Sequence, residues 1–315
     1  MSGPRIAIFA YADVGHACLS HLLERGANVV AVYTHADTPG ETQWFPSVAE
    51  LAVRNGIPVR LDARLGEPQQ LAALRAAAPD LVLSCYYRAM LPLAALAVAP
   101  LGSFNVHGSL LPRYRGRAPV NWAVLHGETE TGATLHVMTA RADAGDIVDQ
   151  QVVTIGPDDT AGEVHARVRD AAVCILARQL EPLAAGRAPR RPQDPARATK
   201  FGRRRPEDGA FEWTQPAAQI HNLVRAVSHP FPGAYTTHAG RTLYVWRTRN
   251  GGWSANGARP GEMRLIDDLL YVACGAADTQ WLEIVRAQIQ GDAERDGADL
   301  ARHLAPNEPT PSPAP

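Results

Sequence analysis

"RIAIFAYADVGHACLSHLLERGANVVAVYTH", residues 5–35, decides the fold. Residues 5–11 are an almost unbroken apolar run, the mark of a strand buried on both faces. Residues 15–26 carry apolar side chains at helical spacing and stop at Gly26, so they read as an amphipathic helix. A second buried strand follows at 28–35. Strand, helix and strand in this compass make a β-α-β unit, which opens a parallel sheet.

The alternation continues outward. Residues 47–56 read as helix, 57–61 as extended, 68–79 as helix and 80–87 as a buried strand, so the first half is a doubly wound α/β domain. A strand at 102–109, a short helix at 119–127, strands at 132–140 and 146–155 and a long helix at 160–186 complete it. Residues 187–209 are rich in Pro and Arg without periodicity and read as a linker lying over the surface. Beyond Ala210, a helix at 217–227 and alternating strands at 241–248, 268–275 and 279–288 give a small β-rich domain. The assignment is 1–200 for the first domain, 201–304 for the second and 305–315 for a disordered tail, "PNEPTPSPAP" being poor in anything that could build a core.

Composition narrows the function. The 315 residues hold 31 Lys plus Arg against 32 Asp plus Glu, a formal charge of −1, so no global positive field gathers a polyanion and no nucleic-acid partner is expected. Cys18, Cys85, Cys174 and Cys274 lie far apart with no CxxC spacing, which fits neither a zinc site nor a disulfide framework and leaves four buried reduced thiols and no metal as the expectation. No signal-peptide pattern and no run of about 18 apolar residues is present, so no membrane insertion is expected and the cytoplasm is the expected compartment. The first turn, "AYADVGH", is not GxGxxG, and no GxxxxGK[ST] occurs, so neither a nicotinamide dinucleotide nor a triphosphate cradle is indicated.

The chemistry concentrates in "SFNVHGSLLPRYRGRAP", residues 103–119. In a strand, residues two apart share a face, so Asn105 and His107 point into one space at the carboxyl end, where open α/β sheets bind ligands. An imidazole there can carry protons near neutral pH, and a carboxamide N–H can stabilise a developing oxyanion. A carboxylate to orient the imidazole can come from Asp143 or Asp146, if strand 132–140 lies beside the Asn-Val-His strand. Such a trio describes acyl transfer to an external amine without a nucleophilic side chain. The tripeptide alone is equally compatible with a structural role, and Asp143 with a turn, so context decides.

That context is a resemblance. Asn-x-His, then Ser-Leu-Leu-Pro-x-x-Arg-Gly, then an Asp-x-Gly loop, within residues 104–148, closely resembles the signature of the folate-dependent formyltransferases. Residues 1–200 resemble that family's catalytic domain, and "FGRRRPEDGAFEW" with "IHNLVRAVSHPFPGAYT" the start of its C-terminal OB-like domain. The resemblance implies a Rossmann-like first domain, 10-formyltetrahydrofolate as formyl donor, Asn105 as oxyanion stabiliser, His107 as proton carrier and Asp143 as its tuner. It further implies folate contacts at Ala89, Met90 and Leu91, at Arg117, and along Thr139, Ala140, Arg141, Ala142 and Asp143.

Two branches differ in the amine. A methionyl-tRNA formyltransferase needs Lys/Arg-rich loops near its mouth, whereas residues 34–51 contain Asp37, Glu41 and Glu50 and no Lys or Arg. The remaining motifs, among them "TLHVM" with His136 and the alanine of "RADAG", most resemble the branch that formylates 4-amino sugars on nucleotides. That branch includes the formyltransferase domain of a bifunctional polymyxin-resistance protein of lipid A modification, which implies UDP-4-amino-4-deoxy-L-arabinose as the small-molecule partner. In that protein a decarboxylating dehydrogenase follows the transferase, whereas here a Pro-rich tail ends at residue 315, which leaves the pathway open. Arg113, Arg115 and Arg117, or Arg203 to Arg205, are candidates for a diphosphate, and Arg225 and His229 for an approach from the second domain. A folate hydrolase with water as acceptor and a non-catalytic binder are the other readings, and a homo-oligomer is compatible with the sequence.

Overall fold

The computed structural model describes residues 3–36 and 43–304, and the chain divides into two compact units. The first comprises residues up to 123, 129–155 and 164–203, and the second comprises 124–128, 156–163 and the remainder. Asp37, Glu41 and the tail from 305 lie outside the described residues.

The first unit is built on a seven-stranded sheet. The opening β-α-β unit is β1 (Ile6–Ala10), α1 (Ala12–Glu24) and β2 (Val29–Thr34), followed by α2 (Val48–Arg54), β3 (Val59–Leu61), α3 (Pro68–Ala76), β4 (Leu81–Cys85), α4 (Leu93–Leu96) and β5 (Ser103–His107). The pairs β1–β2, β2–β3, β1–β4 and β4–β5 are all parallel. All five residues of β1 and of β4 are buried, because helices cover both faces of a parallel sheet.

After β5 come the two-residue β6 (Arg115–Gly116), α5 (Pro119–Leu125), β7 (Glu130–Val137), β8 (Ile147–Thr154), α6 (Ala161–Ala184) and β9 (Lys200–Phe201). The order β3-β2-β1-β4-β5-β7-β8 puts β7 antiparallel to β5 and β8 antiparallel to β7, so the parallel sheet ends in an antiparallel edge. The chain reverses at β1: β2 and β3 run to one side and β4 and β5 to the other. This is the switch point outside whose strand ends open α/β sheets bind ligands.

The second unit is an antiparallel β-rich domain with the sheet order β10-β11-β14-β13-β12. Helix α7 (Ala217–Val227) precedes β10 (Ala234–His238), β11 (Arg241–Ser254), β12 (Met263–Ile266), β13 (Leu269–Cys274), β14 (Gln280–Ile289), the short β15 (Arg295–Asp296) and α8 (Gly297–Leu304). Ile220, Leu223, Val224 and Val227 fall on one face of α7 and are buried, as helical spacing requires.

Two expectations need correction. Cys174 is exposed on α6, so three thiols rather than four are buried. Residues 187–209 do more than lie over the surface: β9 pairs in parallel with β6, and Gln193 reaches into the loop after β7. No described helix is long and apolar enough to cross a membrane.

Candidate functional site

The β5–β7 register builds the centre. Asn105 stands opposite His136 and His107 opposite Thr134, so all four side chains share one face. The loop joining β7 to β8 carries Asp143 back over that face.

His107 is 7% exposed, and its Nε2 lies 2.8 Å from the Tyr114 carbonyl oxygen. A carbonyl only accepts, so Nε2 carries a hydrogen, and in the neutral ring Nδ1 is the nitrogen with the lone pair. Nδ1 faces Asp143 Oδ1 at 3.6 Å. The turn that supplies the Tyr114 carbonyl is pinned throughout: Ser109 Oγ donates to the Arg113 carbonyl at 2.7 Å, and Thr134 Oγ1 donates to the Ser109 carbonyl at 2.6 Å. Both neighbouring hydroxyls are thus committed to backbone acceptors.

Asp143 sits at φ +54°, a left-handed conformation that Asp tolerates better than most residues. Its Oδ2 accepts the Gly116 N–H at 2.8 Å, while Oδ1 lies 3.6 Å from His107 Nδ1 and 3.5 Å from His136 Nε2. Burial pushes this carboxyl up, but the His107 and His136 rings, whenever either carries a proton, and the Gly116 N–H hold it well below the usual carboxylate range. Two glycines permit the approach. Gly116 has φ +100° and would place a Cβ against the Phe201 carbonyl oxygen; at Gly145 a Cβ would meet the Val137 carbonyl oxygen.

Gln193 was not legible in the sequence. Its Nε2 donates to the carbonyls of Asp143 at 2.9 Å and Gly145 at 2.6 Å, and its Oε1 accepts from Arg115 Nη2 at 2.6 Å. A lone Gln in a Pro/Arg-rich stretch offers no pattern to find.

The residues expected to contact folate fall into segments linked by contacts. His35 Nε2 accepts the Arg88 N–H at 3.1 Å, while its Nδ1 donates to Asp62 at 3.0 Å and its ring stacks on Tyr87 with centroids 4.2 Å apart. Burial lowers the His35 pKa, with Arg88 and Arg117 acting the same way and Asp62 opposing. Arg117 Nη2 donates to the Arg88 carbonyl at 2.8 Å, which sets its guanidinium beside the loop of Ala89 and Met90. Ala89 and Met90 are exposed, but Leu91 is 4% exposed with its side chain in the sheet's core, so only its backbone is free to meet a ligand. Thr139 Oγ1 donates to the Arg141 carbonyl at 2.9 Å, folding a turn in which Ala140 and Arg141 are exposed and Ala142 is partly buried.

Several of the other candidates have partners of their own. Arg115 holds Gln193, and Arg113 lies beside the Tyr114 ring. Arg204 Nη2 donates to the Asp208 carbonyl at 2.8 Å. Within the second unit, Arg225 donates to Asn222 Oδ1 at 3.0 Å and His229 pairs with Glu294 at 3.1 Å while stacking on Trp246. The Asp146 backbone carbonyl accepts the Val137 N–H, closing the β7–β8 turn, and Asp143 is the carboxylate that meets the histidines. Among the described residues no group of three His, Cys, Asp or Glu could hold a metal ion.

Comparison with known proteins gives a consistent picture. The formyl transferase family matches residues 5–180, and the formyl transferase C-terminal domain matches 204–304. Among solved structures, the fold is similar to an N-formyltransferase from Helicobacter canadensis in complex with folinic acid and dTDP-3-aminofucose, at 18% identity over 90% of this chain and 99% of that one, TM-score 0.69. It is also similar to a sugar N-formyltransferase from Shewanella, at 19% identity over 77% and 96% of the two chains, TM-score 0.59. A third similarity is to HypX from Aquifex aeolicus in complex with tetrahydrofolic acid, at 17% identity over 95% of this chain and 47% of that one, TM-score 0.64.

Proposed function

The chain belongs to the formyl transferase family, and on that premise we propose that it transfers a formyl group from 10-formyltetrahydrofolate to the 4-amino group of a nucleotide sugar, UDP-4-amino-4-deoxy-L-arabinose being the favoured acceptor. The observation that carries the reading is that His107 meets Asp143 at 3.6 Å on the strand face it shares with Asn105, with no free hydroxyl or thiol nucleophile among the three.

In this reading Asn105 donates an N–H to the formyl oxygen as the amine adds to the formyl carbon. His107 Nδ1, the ring nitrogen with the lone pair, takes the proton that the attacking nitrogen must lose. Asp143 stabilises the imidazolium so formed. The same nitrogen returns that proton to the departing folate nitrogen. One C–N bond forms, one breaks, and the products are an N-formyl sugar and tetrahydrofolate. Direct transfer fits the site, since Ser109 and Thr134 both spend their hydroxyl hydrogens on backbone carbonyls.

The donor fits the residues near the trio. Ala89 and Met90 give an exposed loop, both backbone groups of Arg88 are fixed by His35 and Arg117, and the 139–143 turn ends on the catalytic carboxylate. A small acceptor is favoured over tRNA by the charge of −1 and by a 34–51 segment without Lys or Arg. The Helicobacter relative's dTDP-amino sugar supports a nucleotide sugar as the acceptor class. A role in lipid A modification and polymyxin resistance would follow from the arabinose acceptor.

The test is an acceptor panel. With 10-formyltetrahydrofolate present, UDP- and dTDP-linked 4-amino sugars, dTDP-3-amino sugars and Met-tRNA are offered in parallel and tetrahydrofolate release is followed. Turnover is expected with a UDP-4-amino sugar and to change little between low and moderate salt. Product with Met-tRNA alone, falling steeply with salt, would overturn the acceptor assignment.

A further inference from the structure

The trio leaves one buried titratable group unused, and it touches two of the three members. His136 is 2% exposed and sits directly across from Asn105 in the β5–β7 register. Its Nδ1 lies 2.9 Å from the Val137 carbonyl oxygen, which can only accept, so Nδ1 is protonated. Its Nε2 lies 3.1 Å from Asn105 Nδ2 and 3.5 Å from Asp143 Oδ1.

The two protonation states of Nε2 demand different arrangements. Unprotonated, Nε2 accepts one of the two N–H bonds of Asn105, which fixes the carboxamide with its second N–H free. Protonated, Nε2 turns a hydrogen toward both Asn105 Nδ2 and Asp143 Oδ1. The carboxylate welcomes that hydrogen, but the Asn105 N–H does not, and the carboxamide relieves the clash by flipping. The flip puts an oxygen lone pair where the second N–H had been, which repels an oxyanion instead of stabilising it. The charged group facing His136 is Asp143, with His107 of β5 at the same carboxylate oxygen; β8 sets apolar Ile147 opposite.

We propose that His136 is a positioning residue: its unprotonated Nε2 holds the Asn105 carboxamide in the one orientation that presents an N–H to the reacting oxygen. The proposal rests on the reading of Asn105 as oxyanion donor.

His136→Leu, His136→Gln and Asn105→Ala are compared with the native enzyme by steady-state kinetics at saturating donor and acceptor, with thermal melting as a folding control. Nitrogen-15 NMR of the native protein labelled at histidine reads the His136 Nε2 state directly. His136→Leu is expected to lower kcat by about 10²-fold, the order found on losing an oxyanion donor, with KM values little changed. His136→Gln, whose Oε1 can accept the same N–H, is expected to recover most of that loss. The NMR signal at pH 7.5 should be that of an unprotonated Nε2. Equal losses in the two variants, near-native kcat in His136→Leu, or a protonated Nε2 at that pH would each overturn the proposal, and the NMR result stands even if His136→Leu fails to fold. Near-native activity in Asn105→Ala would refute the catalytic reading itself, whereas an inactive Asn105→Ala beside a fully active His136→Leu would refute only this inference.

Discussion

Replacing Asp143 by Asn probes the proposed catalytic centre while changing its shape least. The carboxylate oxygen Oδ1 lies 3.6 Å from His107 Nδ1, with the side chains 13% and 8% exposed. At that separation, with an effective dielectric of about 20, a carboxylate stabilises an imidazolium by roughly 4 to 5 kcal/mol. A neutral carboxamide keeps part of this through its dipole, so about 3 to 4 kcal/mol of transition-state stabilisation should go, or roughly 10²- to 10³-fold in kcat. The hydrogen-bond pattern adds a second reason. The Gly116 N–H needs an oxygen at the Oδ2 position, which turns the amide nitrogen of an Asn toward His107 and caps the Nδ1 lone pair with an N–H. The side chain keeps its volume, so KM for the folate and the melting temperature should change little. Following tetrahydrofolate release under single-turnover conditions isolates the chemical step. A rate within threefold of native would show that Asp143 does not act through His107 and would refute the assignment.

Three further outcomes follow from the same contacts. Gln193→Ala removes both bonds that hold the Asp143 and Gly145 carbonyls, and should lower kcat about tenfold and stability by roughly 1 to 3 kcal/mol, read by kinetics and urea melts. Gly145→Ala forces a Cβ onto the Val137 carbonyl; the β7–β8 turn must shift, costing roughly 1 to 3 kcal/mol and at least tenfold in kcat, with native stability arguing against the close approach. In the second unit, burial lowers the pKa of His221, whose Nε2 donates to the Pro157 carbonyl at 2.9 Å and whose Nδ1 accepts from Thr248 at 2.9 Å. The unfolded chain therefore takes a proton more readily, so stability is full above the ordinary value of 6.5 and falls as pH drops below it. His221→Gln should flatten that fall between pH 7.5 and about 5, and an unchanged slope in the variant would assign it elsewhere.

What the chain discloses in advance depends on how far its signals reach. The opening β1–α1–β2 unit and α7 follow from local periodicity, and the 217–227 helix lies where its apolar spacing puts it. The short strands β6 and β9 leave no periodic trace, since two residues cannot show alternation and their parallel pairing joins Arg115 to Lys200, far along the chain. "AYTTH" and "MRLI" are too short and too polar in their alternation to mark β10 and β12, although each pairs with the strand that follows it, and "GADLARHL" makes only two turns of α8. The site shows the same division. Asn105 and His107 are legible because a strand's period of two is local; spacing alone leaves Asp143 and Asp146 open and only the resemblance selects Asp143, whereas Gln193 needs the path of the 187–209 segment. His136 was noticed in a motif, but its contact with Asn105 is a matter of cross-strand register.

Transfer of the formyl group straight to an amine, with no enzyme-bound intermediate, is the step proposed for this site, and a product balance reads it. The protein is mixed with 10-formyltetrahydrofolate alone and with a UDP-4-amino sugar added, and tetrahydrofolate, formate and N-formyl sugar are quantified together by mass spectrometry. One N-formyl sugar per tetrahydrofolate is expected, and no formate or formyl-protein when the amine is left out. Formate released at the same rate without the amine would contradict it and make water the acceptor.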